Sequence, residues 1–200
     1  DIKYFKKGLK IIATAVNKKS GKKKYWYSKK HYRKSSQNKF NKIKLIGDAI
    51  EEIRKNYMFR IKYPRDKKLW GRILDRSMST TIKVLKKQLI AVFVLLLDKC
   101  MLRPGSYNNS KKHNTIGITL LRSENFKTDN KCTEINFIGK NKKRNHCKDC
   151  TKELKYFIEY IKNFPTIYLK QVWGKKHYAE YVNKFLSKFG DFTAKDLRMF

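Results

Sequence analysis

From Leu89 to Leu97 the chain runs nine residues without a polar side chain, between Lys87 and Asp98. A membrane span needs roughly 20 such residues, so this length reads as a core helix and not an anchor. Ile82, Leu85, Leu89, Val92 or Phe93, and Leu96 carry a helical spacing through the run. Ser79, Thr80 or Thr81 can cap its start, and Pro104-Gly105 stops it. With 200 residues, 40% of them hydrophobic, the chain can build a sizeable core around that helix.

Around this core the charge is lopsided. Lys and Arg number 50 against 16 Asp and Glu, a formal net charge of +34, far more than solubility requires. Phosphates relieve the self-repulsion of such a chain, so nucleic acid is the expected partner ahead of a membrane surface or a small acidic substrate. The N-terminal residues lack the basic start, apolar stretch and small-residue cleavage site of a secretory signal. An intracellular setting is expected, the nucleus or a virion or viral factory, with the four cysteines as reduced thiols. Abundant Lys, Asn, Ile and Tyr fit an AT-rich genome such as that of a virus or parasite.

Between Leu9 and Tyr27, two apolar or aromatic stretches flank Lys18-Lys19-Ser20-Gly21, the pattern of a β-hairpin. Phe40, Ile43, Ile46, Ile50 and Ile53 mark a first helix, with Ser35 and Ser36 as N-cap candidates. Tyr57 to Asp75, with Pro64 and Gly71, reads as a linker with short helical pieces. Beyond the core helix, Thr115 to Leu121 and Thr133 to Ile138 read as strands, the second running into the basic turn Gly139 to Arg144. Leu154, Phe157, Ile158 and Ile161 mark a helix ended by Pro165; Tyr178, Val182, Phe185 and Phe189 mark one ended by Gly190. Thr193 with Asp196 opens a last helix in capping-box style. The expected fold is α+β: a mostly helical domain over 35–200 with a small antiparallel sheet or hairpin, preceded by a short β remnant over 1–34.

Three cations fall at places that can aim a charge: Arg103 after the core helix, Lys140 in the tight turn, and Arg198 just inside the capped helix. Phosphodiester transfer needs donors on the non-bridging oxygens and an acid for the departing oxygen, which two arginines and a lysine can supply. Among 50 basic residues, charge alone leaves each of the three a solvated surface cation.

Sequence blocks change that reading. Leu89 to Leu95 leading to Met101-Leu102-Arg103-Pro104-Gly105, then Asn114 to Leu120, resembles the first catalytic arginine segment of poxvirus-type and bacterial type IB DNA topoisomerases. Phe137-Ile138-Gly139-Lys140 resembles their hairpin lysine motif, and Phe192 to Arg198 their second arginine motif. Gly21 to Tyr27, with His31, is similar to the basic-aromatic box that precedes the catalytic domain and touches DNA. The resemblance implies that Arg103 and Arg198 polarise the scissile phosphate, that Lys140 protonates the leaving 5′ oxygen, and that Lys195 helps electrostatically. It also implies DNA contacts at Lys24, Tyr25, Tyr27, His31 and Lys142. Double-stranded DNA is the implied partner of a monomer, with no ATP, no metal, no membrane and no small-molecule substrate.

The family's attacking tyrosine and assisting histidine follow the second arginine, and none of the 12 tyrosines here occupies that place. The chain is therefore expected to stop short of its nucleophile and to bind DNA without cleaving it. Pro104 stands where the family has a bulky apolar residue, so the geometry after Arg103 is expected to differ.

Cys132, His146, Cys147 and Cys150 include a Cys-x-x-Cys and could supply four zinc ligands, but a structural finger has two clear ligand pairs, so no metal is the expectation here. His113 and His146 read as surface residues near phosphate. Along the second hairpin arm, Trp26 is expected towards the core, with Tyr25 and Tyr27 towards DNA. Two rivals remain at this point. A tyrosine recombinase shares the charge scheme but carries a histidine where this chain has Lys195. A non-catalytic DNA-binding or packaging protein explains the charge without explaining the ordered motifs.

Overall fold

Strand-forming and helix-forming residues separate cleanly in the first 44 residues, one of two units into which the chain divides. The structure, a computed structural model, describes residues 2–6, 10–62, 78–105, 107–108, 110, 114–163 and 170–200. In the first unit, β1 (Ile2–Tyr4), β2 (Ile11–Val16) and β3 (Lys23–Tyr27) form an antiparallel sheet in that order. The hairpin between β2 and β3 closes as the turn residues require. The Asn17 side-chain oxygen accepts from the Lys19 and Ser20 N–H groups at 3.0 Å, and Gly21 takes a φ of 64°.

Helix α1 (Lys29–Lys62) is longer than its apolar spacing announces. Ser28, and not Ser35 or Ser36, lies at its start, with its hydroxyl accepting from the His31 N–H at 3.3 Å. Ser35 and Ser36 lie inside the helix, and so does Tyr57 to Lys62, which the sequence assigned to a linker. Tyr57 and Ile61 extend the buried stripe of Ile46, Ile50 and Ile53, and that burial outweighs the weak local pattern. The rest of the supposed linker, with Pro64 and Gly71, lies outside the described residues.

The second unit, from Leu45 onward, is organised on α2 (Met78–Cys100). Every residue from Ala91 to Leu97 is buried, the expected fate of a helix that is apolar all round. Asp98 follows directly, its side chain only 3% exposed. It accepts two hydrogen bonds from the Arg54 guanidinium, at 3.0 and 3.1 Å, and one from the Tyr57 hydroxyl at 2.8 Å. That cluster joins α1 to α2.

A second antiparallel sheet holds β4 (Phe126–Thr128), β5 (Thr133–Ile138) and β6 (Arg144–Asp149), in that order. The strand expected over Thr115 to Leu121 is a correction: Ile118–Leu120 forms a 3₁₀ turn. Gly117 at its head weakens a strand, and the turn lets Ile118, Thr119 and Leu120 all bury at once. Helix α3 (Lys152–Lys162) buries Leu154, Phe157, Ile158 and Ile161 as its spacing predicts, while Pro165 lies outside the described residues. Helix α4 (Tyr178–Leu186) packs on α2, with the Tyr178 ring edge-on to Phe93 at 5.4 Å. It ends at Leu186, before Gly190. Helix α5 (Ala194–Leu197) packs on both α2 and α4. The fold is α+β and mostly helical, as expected. No helix among the described residues is long and apolar enough to cross a membrane.

The cysteines overturn the expectation of free thiols. Cys100, at the end of α2, is bonded to Cys147 on β6, and Cys132 is bonded to Cys150. The second pair follows from register, because Thr133 lies opposite Asp149 in the β5–β6 ladder, so their outer neighbours face each other.

Candidate active site

The chain leaves α2 through a sharp reversal. Met101 takes a φ of 51°, Leu102 turns into the core, and Arg103 emerges exposed. What holds Arg103 is the segment Ile116 to Thr119. The Ile118 N–H donates to the Arg103 carbonyl at 2.9 Å, and the Thr119 N–H and hydroxyl donate to the Pro104 carbonyl at 3.0 and 2.7 Å. Gly105, at a φ of 89°, lies directly against Gly117, where any Cβ on Gly117 would stand 2.7 Å from the Arg103 oxygen. Proline at 104 removes a backbone donor, yet the segment is held through the carbonyls of 103 and 104, which proline keeps.

The same segment reaches the basic hairpin. The Ile116 N–H donates to the Ile138 carbonyl at 2.9 Å, two residues before Lys140. Hydrogen bonds thus run from Arg103, through Ile116 to Thr119, to the foot of the Lys140 turn. Within that turn the Gly139 N–H donates to the Lys143 carbonyl at 2.8 Å, and Asn141 and Lys142 take positive φ values of 62° and 56°. The Asn145 amide occupies the space that a side chain on Gly139 would need. Lys140, Lys142, Lys143 and Arg144 are all exposed, and among the described residues no carboxylate pairs with them.

The far end of this sheet is electrostatically different. Lys148 lies 3.1 Å from Asp129 and 3.5 Å from Glu134, and His146 lies 3.9 Å from Glu134. The N–H groups of Cys132 and Lys131, together with Lys148, hold the Asp129 carboxyl down to about 2. Positive charge is therefore neutralised at that end and left open at the hairpin tip. An open groove lined by Lys127, Asn136, Phe137, Ile138 and Arg144 runs beside the tip.

Arg198 sits at the C-terminal end of α5. Asp196 fixes the start of that helix by accepting from the Thr193 N–H at 2.9 Å and the Thr193 hydroxyl at 2.7 Å, close to the expected capping box. Arg198 is half-buried, and its Nε is enclosed without a hydrogen-bond partner among the described residues. A buried guanidinium donor left unsatisfied is costly. Lys195, on the same helix, is exposed.

The other DNA-contact candidates belong to the first unit. Lys24 is exposed, with its ammonium 5.1 Å from the Trp26 ring, and Tyr25 is 43% exposed. Trp26 is half-buried opposite the buried Ala13. Tyr27 is half-buried too, with its ring 4.8 Å from His31, so of the two tyrosines only Tyr25 is openly presented. His113 lies outside the described residues, and His146 is exposed. Sequence reasoning missed the contribution of Gly117 and Thr119. A glycine within a β-prone run was the available signal, since it marks a close backbone approach.

Residues 28–200 match the sequence model of the eukaryotic DNA topoisomerase I catalytic core. The chain belongs to that family. No curated protein matches it. Membership in the topoisomerase I core family makes DNA the partner and change of DNA topology the class of activity. The match covers Lys140, the segments of Arg103 and Arg198, and all of α1.

Proposed function

We propose that the protein relaxes supercoiled duplex DNA by cutting one strand and resealing it through a 3′-phosphotyrosyl intermediate, on the plan of the small poxvirus- and bacterial-type enzymes. The tyrosine oxygen forms a bond to phosphorus while the bond from phosphorus to the 5′ oxygen breaks. Arg103 and Arg198 stabilise charge on the non-bridging oxygens, and Lys140 gives its proton to the departing 5′ oxygen. Religation reverses each step. Lys195 adds positive charge near the phosphate, and Lys24, Tyr25, Tyr27, His31 and Lys142 contact the duplex. The attacking tyrosine and its assisting histidine come from outside these 200 residues, so residues 1–200 alone bind DNA and form no covalent adduct.

The observation that carries this reading is the hydrogen-bonded path from the Arg103 carbonyl to the Ile138 carbonyl. It ties the placement of a phosphate-binding arginine to that of a lysine on a different element, as a two-cation reaction needs.

The test separates an acid from a phosphate contact. In the complete gene product, Lys140→Ala is expected to slow cleavage by roughly 10²- to 10⁴-fold with little change in DNA affinity. A substrate with sulfur in place of the 5′ oxygen needs no proton on departure, so the variant recovers most of its rate on it. Arg103→Ala and Arg198→Ala are not rescued. Equal rescue of all three, or a Lys140→Ala defect confined to affinity, would place the acid elsewhere.

A further inference from the structure

Thr119 is 2% exposed and lies within the 3₁₀ turn Ile118–Leu120, among Ile118, Leu120 and Leu121. A hydroxyl in such company costs free energy unless it is bonded. It donates to the Pro104 carbonyl at 2.7 Å, an acceptor that already takes the Thr119 N–H at 3.0 Å. The backbone bond alone would satisfy that carbonyl. The hydroxyl therefore adds rigidity at one point, the residue after Arg103. Pro104 has a fixed φ, so holding its carbonyl also restrains the peptide that joins it to Arg103. The Ile118 N–H holds the Arg103 carbonyl itself at 2.9 Å. The Arg103 carbonyl and the carbonyl of the next residue are thus both held from one turn.

We propose that Thr119 is a positioning residue for the reaction: through the Pro104 carbonyl, its hydroxyl fixes the direction in which Arg103 presents its guanidinium to the scissile phosphate. The inference rests on the assignment of Arg103 to that phosphate. Arg103 is exposed and its side chain is long, so its aim depends on a backbone that does not shift. A misplacement of about 1 Å at a reacting centre can cost on the order of a hundredfold in rate.

The experiment measures single-turnover nicking of supercoiled plasmid, and DNA affinity separately, with the complete gene product. Thr119→Val keeps the shape and loses the hydroxyl; Thr119→Ser keeps the hydroxyl. Thr119→Val is expected to slow nicking by roughly ten- to a hundredfold, with affinity within about twofold of the parent. Thr119→Ser stays close to the parent rate. Because Thr119 acts through Arg103, the pair Arg103→Ala with Thr119→Val nicks no more slowly than Arg103→Ala alone. Should Thr119→Val fail to fold, Thr119→Cys, of similar size and a weaker donor, is expected to show an intermediate loss. Fully additive losses, or a parent-like Thr119→Val beside a slow Arg103→Ala, overturn the role of Thr119. A parent-like rate in Arg103→Ala itself instead overturns the phosphate assignment on which the inference rests.

Discussion

Asp98 shows how one side chain decides where two helices meet. It closes an apolar run with a charge that burial makes costly, and the cost is met by three hydrogen bonds from Arg54 and Tyr57. The bond to Asp98 leads the causes that raise the Arg54 pKa. For Tyr57, burial leads and the bond to Asp98 comes second. Removing the cation leaves the carboxylate buried with only the Tyr57 hydroxyl. Arg54→Ala is therefore expected to cost about 3 to 5 kcal/mol, a fall in melting temperature of roughly 6 to 20 °C. Asp98→Asn, which keeps an acceptor and drops the charge, costs less. Thermal unfolding of the two variants checks this, and a larger loss in Asp98→Asn would show that the charge itself is not what Arg54 compensates. The sequence displayed Asp98 only as the polar end of a helix, because its partners lie more than 40 positions away.

Among the elements, those with a strong local period are legible in the residues themselves: the core helix, β5, α3, and the capped start of α5. Elements set by distant contacts are not. Tyr57 to Lys62 is helical because Tyr57 and Ile61 reach the core, and Ile118–Leu120 curls because Gly117 meets Gly105. The candidate cations Arg103, Lys140 and Arg198 are picked out by motif order alone, whereas the residues that hold the Arg103 backbone, Thr119 and the glycine pair, come together only on folding. The disulfides escape a reading of the sequence for the same reason, since ladder register decides which cysteines meet. Cys100–Cys147 closes a loop of 47 residues and Cys132–Cys150 one of 18. Chain entropy gives them about 4 and about 3 kcal/mol taken singly. Reduction is expected to lower the melting temperature by at least roughly 8 °C. Scans with and without reductant, with thiols counted by alkylation, provide the measurement; equal melting temperatures with all four thiols free would remove the disulfides from the stability of the fold.

Not every charge behind the net +34 is equally free to meet DNA. The second sheet shows the division within a few residues. Lys148 is held between Asp129 and Glu134, and its pKa is raised, first by the hydrogen bond to Asp129. Lys142, at the other end of the hairpin, has no such partner among the described residues. A cation already paired with carboxylates has less to gain from a phosphate, and it releases few counterions when DNA arrives. An unpaired one releases its full share, about 0.9 in the log-log slope of affinity against salt. If six to ten phosphates are neutralised, the slope for duplex DNA is expected to lie at roughly −5 to −9. Lys142→Ala should then lower the slope by about one and weaken binding alike on unrelated sequences. Lys148→Ala should leave the slope close to the parent value, although the two lysines lie on the same hairpin and carry the same formal charge. Fluorescence anisotropy of a labelled duplex between about 50 and 200 mM salt, the range over which such contacts dominate, reads all three slopes. Equal reductions in the two variants would mean that the ion pairs at the far end of the sheet open on binding, and that total charge, not its arrangement, sets how the protein holds DNA.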